Sequence, residues 1–336
     1  VKYSLKKEQK MIEKQRSPLR ADADGVITFS FLLLPEYAMI SLMSAIEPLR
    51  IANRLAGKQL FRWQCFSEEG KSVRASNEMS LGEHLDYKQQ PLPKNLFVNS
   101  SFNPQKYASV SSIKWLQQVK RRGGCFGALD TGCFLLAKAN LLQDHHITMH
   151  WEAIPVFKEL YPQQRVSADL FVVDSACVTC AGGVAATDML LSLIESYCEK
   201  AFIEQICDQF IGAGKRGEQM GQRSDAKRLN IHHPRLLKVL RIMEDNLSTP
   251  IPAAYLAEQV HISLRQLDRL FERYLQVTPS QHYLQLRLQK AQQLLRETVL
   301  SISQIGFICG FGSASQFSRS YRKQFMIAPS AERSVD

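Results

Sequence analysis

Residues 263–280, SLRQLDRLFERYLQVTPS, lie over residues 313–330, SASQFSRSYRKQFMIAPS, at a constant offset of 50. Ser263/Ser313, Gln266/Gln316, Arg269/Arg319, Pro279/Pro329 and Ser280/Ser330 are identical, and Leu267/Phe317, Phe271/Tyr321, Arg273/Lys323 and Leu275/Phe325 agree in kind. The chemistry on offer is base-edge reading: a guanidinium pairs bidentately with guanine, a carboxamide with adenine, and a carboxylate accepts from cytosine. Phased as a helix, the first copy turns Leu267, Leu270, Phe271 and Tyr274 to a core and presents Arg265, Asp268, Arg269 and Glu272 or Arg273. The second turns Phe317, Tyr321 and Phe325 inward and presents Ala314, Ser315, Gln316, Arg319 and Arg322. Ser263 and Ser313 stand where an N-cap hydroxyl would satisfy free helix N–H groups. A lone helix with such a face is most simply a solvated one; a duplicated helix with matching caps and arginines is better read as two recognition helices entering successive major grooves. A second stretch, CFGALD at 125–130 turning sharply into GCFLLAKANLL, is a strand–elbow–helix of the kind that exposes one reactive side chain.

The elements that must position these groups fall into two blocks. Over 26–211 strand and helix alternate: VITFSFLLL as a strand buried on both faces, a helix through Leu42, Ala45, Ile46, Leu49 and Leu55 ended by Gly57, then FRWQCFSEE, SVRAS and LFVNSS as strands. SIKWLQQVKRRG is a helix stopped by Gly123, the elbow follows, and VSADLFVVD plus a helix from Val184 to about Tyr197 close the block. Strands separated by helices predict a parallel sheet with helices on both faces. Pro48 inside the first helix predicts a break or a special geometry. Residues 212–228, GAGKRGEQMGQRSDAKR, are Gly- and charge-rich and read as a linker. From Pro234 onward only helices are expected, with AAYLAEQVHI and SISQIGFICGFG as the short helix and turn before each repeat, Gly310 and Gly312 supplying the second turn.

Composition is that of an ordinary folded chain of 336 residues, 45% hydrophobic and 22% charged. No apolar run approaches the ~20 residues that cross a bilayer. The N-terminal stretch lacks the apolar core of a secretory signal and reads as a basic tail over 1–24. Eight scattered cysteines predict reduced thiols, and the Cys177/Cys180 pair has no partner pair at zinc-binding spacing, so packing is the plainer role. The net charge of +10 is uneven: seven basic and four acidic residues over 1–24, 21 and 20 over 25–227, 14 and 8 over 228–336. The excess sits on the repeat, as a polyanion partner would require.

Segment 234–333 resembles the DNA-binding domain of AraC/XylS-type transcription regulators. The family's second-repeat signature stands as GFGSASQFSRSYRKQFMIAP (310–329) and its linking-helix pattern as RLQKAQQLL (287–295). The glycine usual after each second helix is Gln276 and Met326 here. The resemblance implies base contacts from Arg265, Asp268, Arg269, Ala314, Ser315, Gln316 and Arg319, and phosphate contacts from Arg273, Arg322 and Lys323.

The region 26–211 resembles the class I glutamine-amidotransferase-like (PfpI-type) domains found fused to AraC-type domains. Enzymatic members carry a cysteine at the elbow; the aligned residue is Asp130, which cannot do thiolate chemistry, and Cys133 falls a turn later. A sensor fits better. Asp130 at a helix start, with His150 and Trp151 nearby, would suit a small ligand carrying positive charge, the indole face favouring a quaternary or guanidinium cation. Glu47, in the first helix, is a further candidate. The plainer readings are a core role for Trp151 and a helix cap for Asp130. The pattern FLLLPEYAMISLMSAIEPLRIANRLAG with ALDTGCFLLA is most similar to regulators answering to glycine betaine, carnitine or arginine.

The reading is thus an α/β, flavodoxin-like parallel-sheet sensor over 25–211, a linker over 212–230 and an all-α domain with two helix-turn-helix motifs over 231–333. Expected partners are double-stranded promoter DNA, a small-molecule effector, RNA polymerase and a second copy of the chain, in the cytoplasm, with no membrane, cofactor, metal or catalytic residue. The rival is an amidase- or hydratase-like enzyme carrying a DNA-binding tail, against which Asp130 stands.

Overall fold

The computed structural model describes residues 18–82, 84–211, 214–218, 220–222, 233–298 and 300–332. The chain divides into two compact units, Val1–Gln222 and Arg223–Asp336.

The first unit is a seven-stranded sheet between two helical layers. Its strands are β1 (Ile27–Leu33), β2 (Phe61–Ser67), β3 (Leu85–Asp86), β4 (Asn95–Ser100), β5 (Cys125–Asp130), β8 (Phe171–Asp174) and β9 (Cys177–Cys180), in the order β3-β2-β1-β4-β5-β9-β8. All neighbours run parallel except β8, which pairs antiparallel with β9 at one edge. A separate parallel pair is formed by β6 (His146–Thr148) and β7 (Arg165–Ser167). Strand β1 is buried along almost its whole length because helices cover both its faces. On one face α1 (Met39–Ala56), α5 (Ala185–Glu195) and α6 (Lys200–Asp208) pack over Phe29, Phe31, Leu33, Phe97 and Leu129. On the other lie α2 (Val110–Arg121) and α3 (Cys133–Lys138), where Trp115 of α2 meets Phe66 and Tyr87. Helix α4 (Ile154–Leu160) joins β6 to β7.

Four expectations change. Helix α1 runs unbroken through Pro48, which is buried inside it. SVRAS forms no strand, only single bridges at Arg74 and Ala75. VSADLFVVD splits into β7 and β8, because residues 168–170 between them pair instead with the chain at 220–222. The tail assigned to 1–24 lies outside the described residues up to 17, but beyond that it is fastened: Leu19 is buried in the core, and Arg20 exchanges backbone hydrogen bonds with the Asn95 side chain.

The stretch read as a linker behaves likewise over its described part. Residues 214–218 and 220–222 form a strap on the α/β unit. Arg216 bonds Asp188 through its backbone N–H and its guanidinium at 2.7–2.9 Å, Lys215 pairs with Glu195, and the Val173 N–H donates to Glu218 at 3.2 Å. Glycine and charge predict a solvated segment only when the charges lack partners, and these have them. The expected linker at 223–230 lies outside the described residues.

The second unit is helical: α7 (Pro234–Asp245), α8 (Ala253–Gln259), α9 (Leu264–Leu275), α10 (Pro279–Glu297), α11 (Ile302–Ile308), α12 (Ala314–Phe325) and α13 (Pro329–Glu332). Leu236, Val239, Leu240, Met243, Leu256, Leu267 and Phe271 make the core of its first half. Phe311, Phe317, Tyr321 and Phe325 form a chain of ring contacts in its second half, at 4.6–5.5 Å.

Candidate functional site

The two recognition helices, α9 and α12, are phased as their spacing requires. Leu267, Phe271, Phe317 and Tyr321 are fully buried, while Arg265, Asp268, Arg269, Arg273, Ser315, Gln316, Arg319, Arg322 and Lys323 are exposed and Ala314 is half-buried. Among the described residues Arg265, Asp268, Arg269, Arg319, Arg322 and Lys323 enter no ion pair, so the arginines and the lysine have their charge available to a polyanion. Arg273 lies over the Tyr274 ring.

Ser263 and Ser313 are the N-caps, each accepting from the backbone N–H three residues on. The two glutamines at those third positions have a structural task. Gln266 Oε1 accepts from the Ser263 N–H at 2.9 Å, completing a capping box, and Gln316 Oε1 accepts from the Gly312 N–H at 3.1 Å. Bidentate adenine pairing needs both ends of a carboxamide, and Gln316 has turned its oxygen back to the turn. Its amide nitrogen alone can reach outward without breaking the cap.

The turns differ in length by one residue. His261 (φ 53°) and Gly310 (φ 73°) occupy the left-handed position in the two copies, so the offset is 49 up to that point and 50 after it. A side chain on Gly310 would strike the Leu247 carbonyl at 2.7 Å; Gly312 has no such constraint and contributes a donor instead. Gln276 and Met326, in place of glycine, hold the left-handed C-cap conformation at φ 56° and 64°.

Helix α10 fixes the second copy at two points. Arg287 donates to the Cys309 and Gly310 carbonyls, both at 2.7 Å, with its guanidinium 4.2 Å from the centre of the Phe311 ring. Arg296 and Gln292 hold the buried Glu332, which also accepts from the Tyr321 hydroxyl at 2.8 Å. A recognition helix must be rigid to place base-reading groups, and these clamps make it so.

In the α/β unit, β5 ends at Asp130 in a left-handed conformation (φ 61°), the strained corner of the elbow. The close fit is visible in its glycines: a Cβ on Gly132 would lie 2.2 Å from the Val98 carbonyl, and one on Gly182 2.8 Å from the Asp130 carboxylate. Asp130 does not cap α3, which starts at Cys133 with no side-chain cap. Its carboxyl is buried, and burial, reinforced by the nearby negative charge of Glu152, pushes its pKa up to about 7 against the pull of the Ser41 hydroxyl and the Thr131 N–H. Cys133 is buried, donates to the Thr148 carbonyl at 3.4 Å, and has its thiol pKa pushed well up by burial. Cys177 and Cys180 stand three apart in β9 and therefore face opposite sides of the sheet.

His150 is brought to the elbow: its backbone N–H donates to the Asp130 carbonyl at 3.2 Å, and its ring is tilted over Trp151 at 5.5 Å. Trp151 is half-buried, and its backbone N–H donates to Gln222 Oε1 at 2.7 Å. Glu47 is not brought there. It lies six residues beyond Ser41, about 9 Å along the helix axis, and bonds Arg50 at 2.6 Å. The residue on α1 that does meet the elbow is Ser41, whose hydroxyl also accepts from the Gly183 N–H at 2.7 Å. Its position in the first helical turn after β1 was the available signal. Nothing in the composition around Gln222 announced its contacts.

These two arrangements have counterparts in known proteins. Residues 256–334 match the family described as "Helix-turn-helix domain". The chain is 42% identical to the HTH-type transcriptional regulator CdhR of Pseudomonas aeruginosa, over 91% of each chain. It is 38% identical to the HTH-type transcriptional regulator GbdR of the same species, over 91% of this chain and 84% of that one. The crystal structure of an AraC family transcriptional regulator from Pseudomonas putida shares the fold over 55% of this chain and 99% of its own, with a TM-score of 0.50 at 23% identity. The chain belongs to the AraC-type HTH transcriptional regulators, with a parallel-sheet α/β domain ahead of two DNA-binding helix-turn-helix units.

Proposed function

We propose that this regulator is an activator that answers to a small cationic or zwitterionic metabolite, of the glycine betaine, carnitine or arginine type, bound at the Asp130 elbow. The observation that carries the reading is the buried carboxyl of Asp130, whose surroundings, burial and Glu152, work against its charge. A cation arriving beside it would relieve that cost, and the His150–Trp151 pair would supply an aromatic face. Three large apolar side chains stay exposed on residues adjoining those that meet at the elbow: Ile40 beside Ser41, Phe102 beside Ser101, and Val184 beside Gly183. Alkyl groups on the ligand's nitrogen would suit them.

In this reading the chain is no enzyme, since the elbow offers a carboxyl in place of a thiolate and the nearby cysteines are buried and protonated. It acts in the cytoplasm, where promoter DNA and RNA polymerase are, and as a homodimer, because pairing two modest DNA-binding domains raises affinity by effective concentration. Among the described residues no helix is long and apolar enough to cross a membrane. Bases are read by Arg265, Asp268 and Arg269 in one groove and by Ala314, Ser315 and Arg319 in the next, with Arg273, Arg322 and Lys323 on phosphates.

The test is a calorimetric titration of the full chain with glycine betaine, carnitine, choline, arginine and an uncharged control. Saturable binding by one of these ligands but not by the control, abolished by Asp130→Ala, supports the reading. Binding untouched by Asp130→Ala removes the elbow from it. A fragment for such work should end beyond Gln222, since a cut at 212 would remove the strap.

A further inference from the structure

The last residue of the α/β unit, Gln222, is tied by several hydrogen bonds. Gln222 Oε1 accepts from the Trp151 backbone N–H at 2.7 Å, while Nε2 faces the Met149 carbonyl at 2.8 Å, the Asp169 carbonyl at 3.0 Å and the Thr148 hydroxyl at 3.2 Å. Its backbone N–H donates to the Ala168 carbonyl at 3.0 Å. Between Met149 and Trp151 stands His150, which donates to the Asp130 carbonyl. The segment 149–151 is therefore bonded on one side to the elbow and on the other to the residue from which the chain leaves for the DNA-binding unit. The far end of the strap is tied close to the elbow as well. Its Arg216 holds Asp188, five residues beyond Gly183 on the loop that closes over Asp130.

We propose that Gln222 is the positioning residue that passes elbow occupancy to the DNA-binding unit: the seated strap is the resting state, and a ligand at the elbow unseats it. This rests on the effector site proposed above. The physical argument is one of leverage. Hydrogen bonds weaken steeply with misalignment, and the Gln222 carboxamide depends on Thr148, Met149 and Trp151, which lie within four consecutive residues, keeping their present arrangement. A ligand that moved His150 and Trp151 by a fraction of a bond length would spoil several of these bonds together. The strap is suited to release, since polar bonds hold it and Met220, its large apolar side chain, is exposed. A ligand that prefers the unseated arrangement then shifts the population toward it.

The test uses the full chain, an operator selected by that chain from a random DNA pool, and Gln222→Ala. Without any effector, Gln222→Ala is expected to raise transcription from that operator by about fivefold or more and to speed hydrogen exchange at Trp151 and Leu170. It should still bind glycine betaine, and its melting temperature should show the fold retained. Should Gln222→Ala fold poorly, Asp188→Asn, which loosens the strap from Arg216, is expected to act in the same direction. Effector-free transcription at or below the wild-type level in a folded variant overturns the proposal, as does faster exchange without a change in transcription. These readouts need no ligand. Failure of Asp130→Ala to alter glycine betaine binding would instead overturn the site itself.

Discussion

The hydroxyl of Thr187 donates to the carbonyl of Ser44 at 3.0 Å, and Ser44 is the carbonyl that Pro48, having no N–H, leaves without a helical donor. One residue of α5 thus repairs the ladder of α1, and the helix passes a buried proline without breaking. The same contact holds α5 on α1, with Gly182 and Gly183 at its start placed against Asp130 and Ser41. Thr187→Val is expected to cost about 1 kcal/mol in urea unfolding, the penalty of leaving a part-buried carbonyl unpaired. Thr187→Ser should cost much less. In a Pro48→Ala background, where an N–H is restored to Ser44, most of the Thr187→Val penalty should vanish. Additive effects of the two changes would show that Ser44 does not link them.

The effector site proposed at Asp130 predicts that binding depends on pH. Its carboxyl titrates at about 7 in the folded chain and near 3.8 in its ordinary state. The fold favours the neutral form, so the stability linked to it is complete below the ordinary value and is lost as the pH rises through about 7. Asp130→Asn should remove that part of the decline in melting temperature between pH 5 and 8. A ligand needing the ionised carboxylate should bind about tenfold more tightly per pH unit up to 7 and level off above it. Calorimetry with glycine betaine checks this, and affinity that is flat between pH 5 and 7 would contradict it.

Much of this was legible in the sequence, for reasons that can be stated. Strand β1 was visible because burial on both faces demands a continuous apolar run. The recognition helices were visible because duplication repeats the spacing of Leu267 and Phe271 in Phe317 and Tyr321. What escaped depended on partners distant in the chain. The single strand expected over 166–174 breaks because 220–222 claims the backbone between its halves, and 214–222 resembled a free linker because Asp188 and Trp151 lie far from it in sequence. Pro48 pointed to a break for the same reason: its remedy is on another helix. Ser41 carried no chemical signal of its own; it matters because α1 starts beside the elbow. Gln316 is the converse case, a residue type fit for base reading whose oxygen also accepts from the Gly312 N–H of the turn before it.

That last distinction separates two kinds of exposed face residue. Arg319→Ala is expected to relax preference at one base position by about 1–3 kcal/mol, measured by competition among operator variants, while Arg322→Ala should weaken binding to all sequences alike. Gln316→Ala should resemble Gln266→Ala, lowering stability by about 1 kcal/mol through the lost cap and leaving base preference unchanged. A position-specific loss with Gln316→Ala would return it to the base-reading set.

The clamp on the second unit carries the opposite pH sign to Asp130. Burial of Glu332 works to raise its pKa, but hydrogen bonds from Tyr321, Arg296 and Gln292 outweigh that and hold the carboxyl below its ordinary value of 4.5. The ionised form belongs to the fold, so its contribution is present above pH 4.5 and is lost as the pH falls through the lowered value. Glu332→Gln should therefore destabilise the DNA-binding unit at pH 7, by about 1–3 kcal/mol given charge-assisted bonds to an arginine that is itself largely exposed. The difference from wild type should close in acid. Because Tyr321 lies on the inner face of α12, the same substitution should also weaken operator binding at pH 7 more than Arg287-independent changes elsewhere on the surface do. Unfolding curves at pH 7 and pH 3.5 decide the matter: an equal deficit at both would show that the carboxylate charge is not what holds α12 to α10.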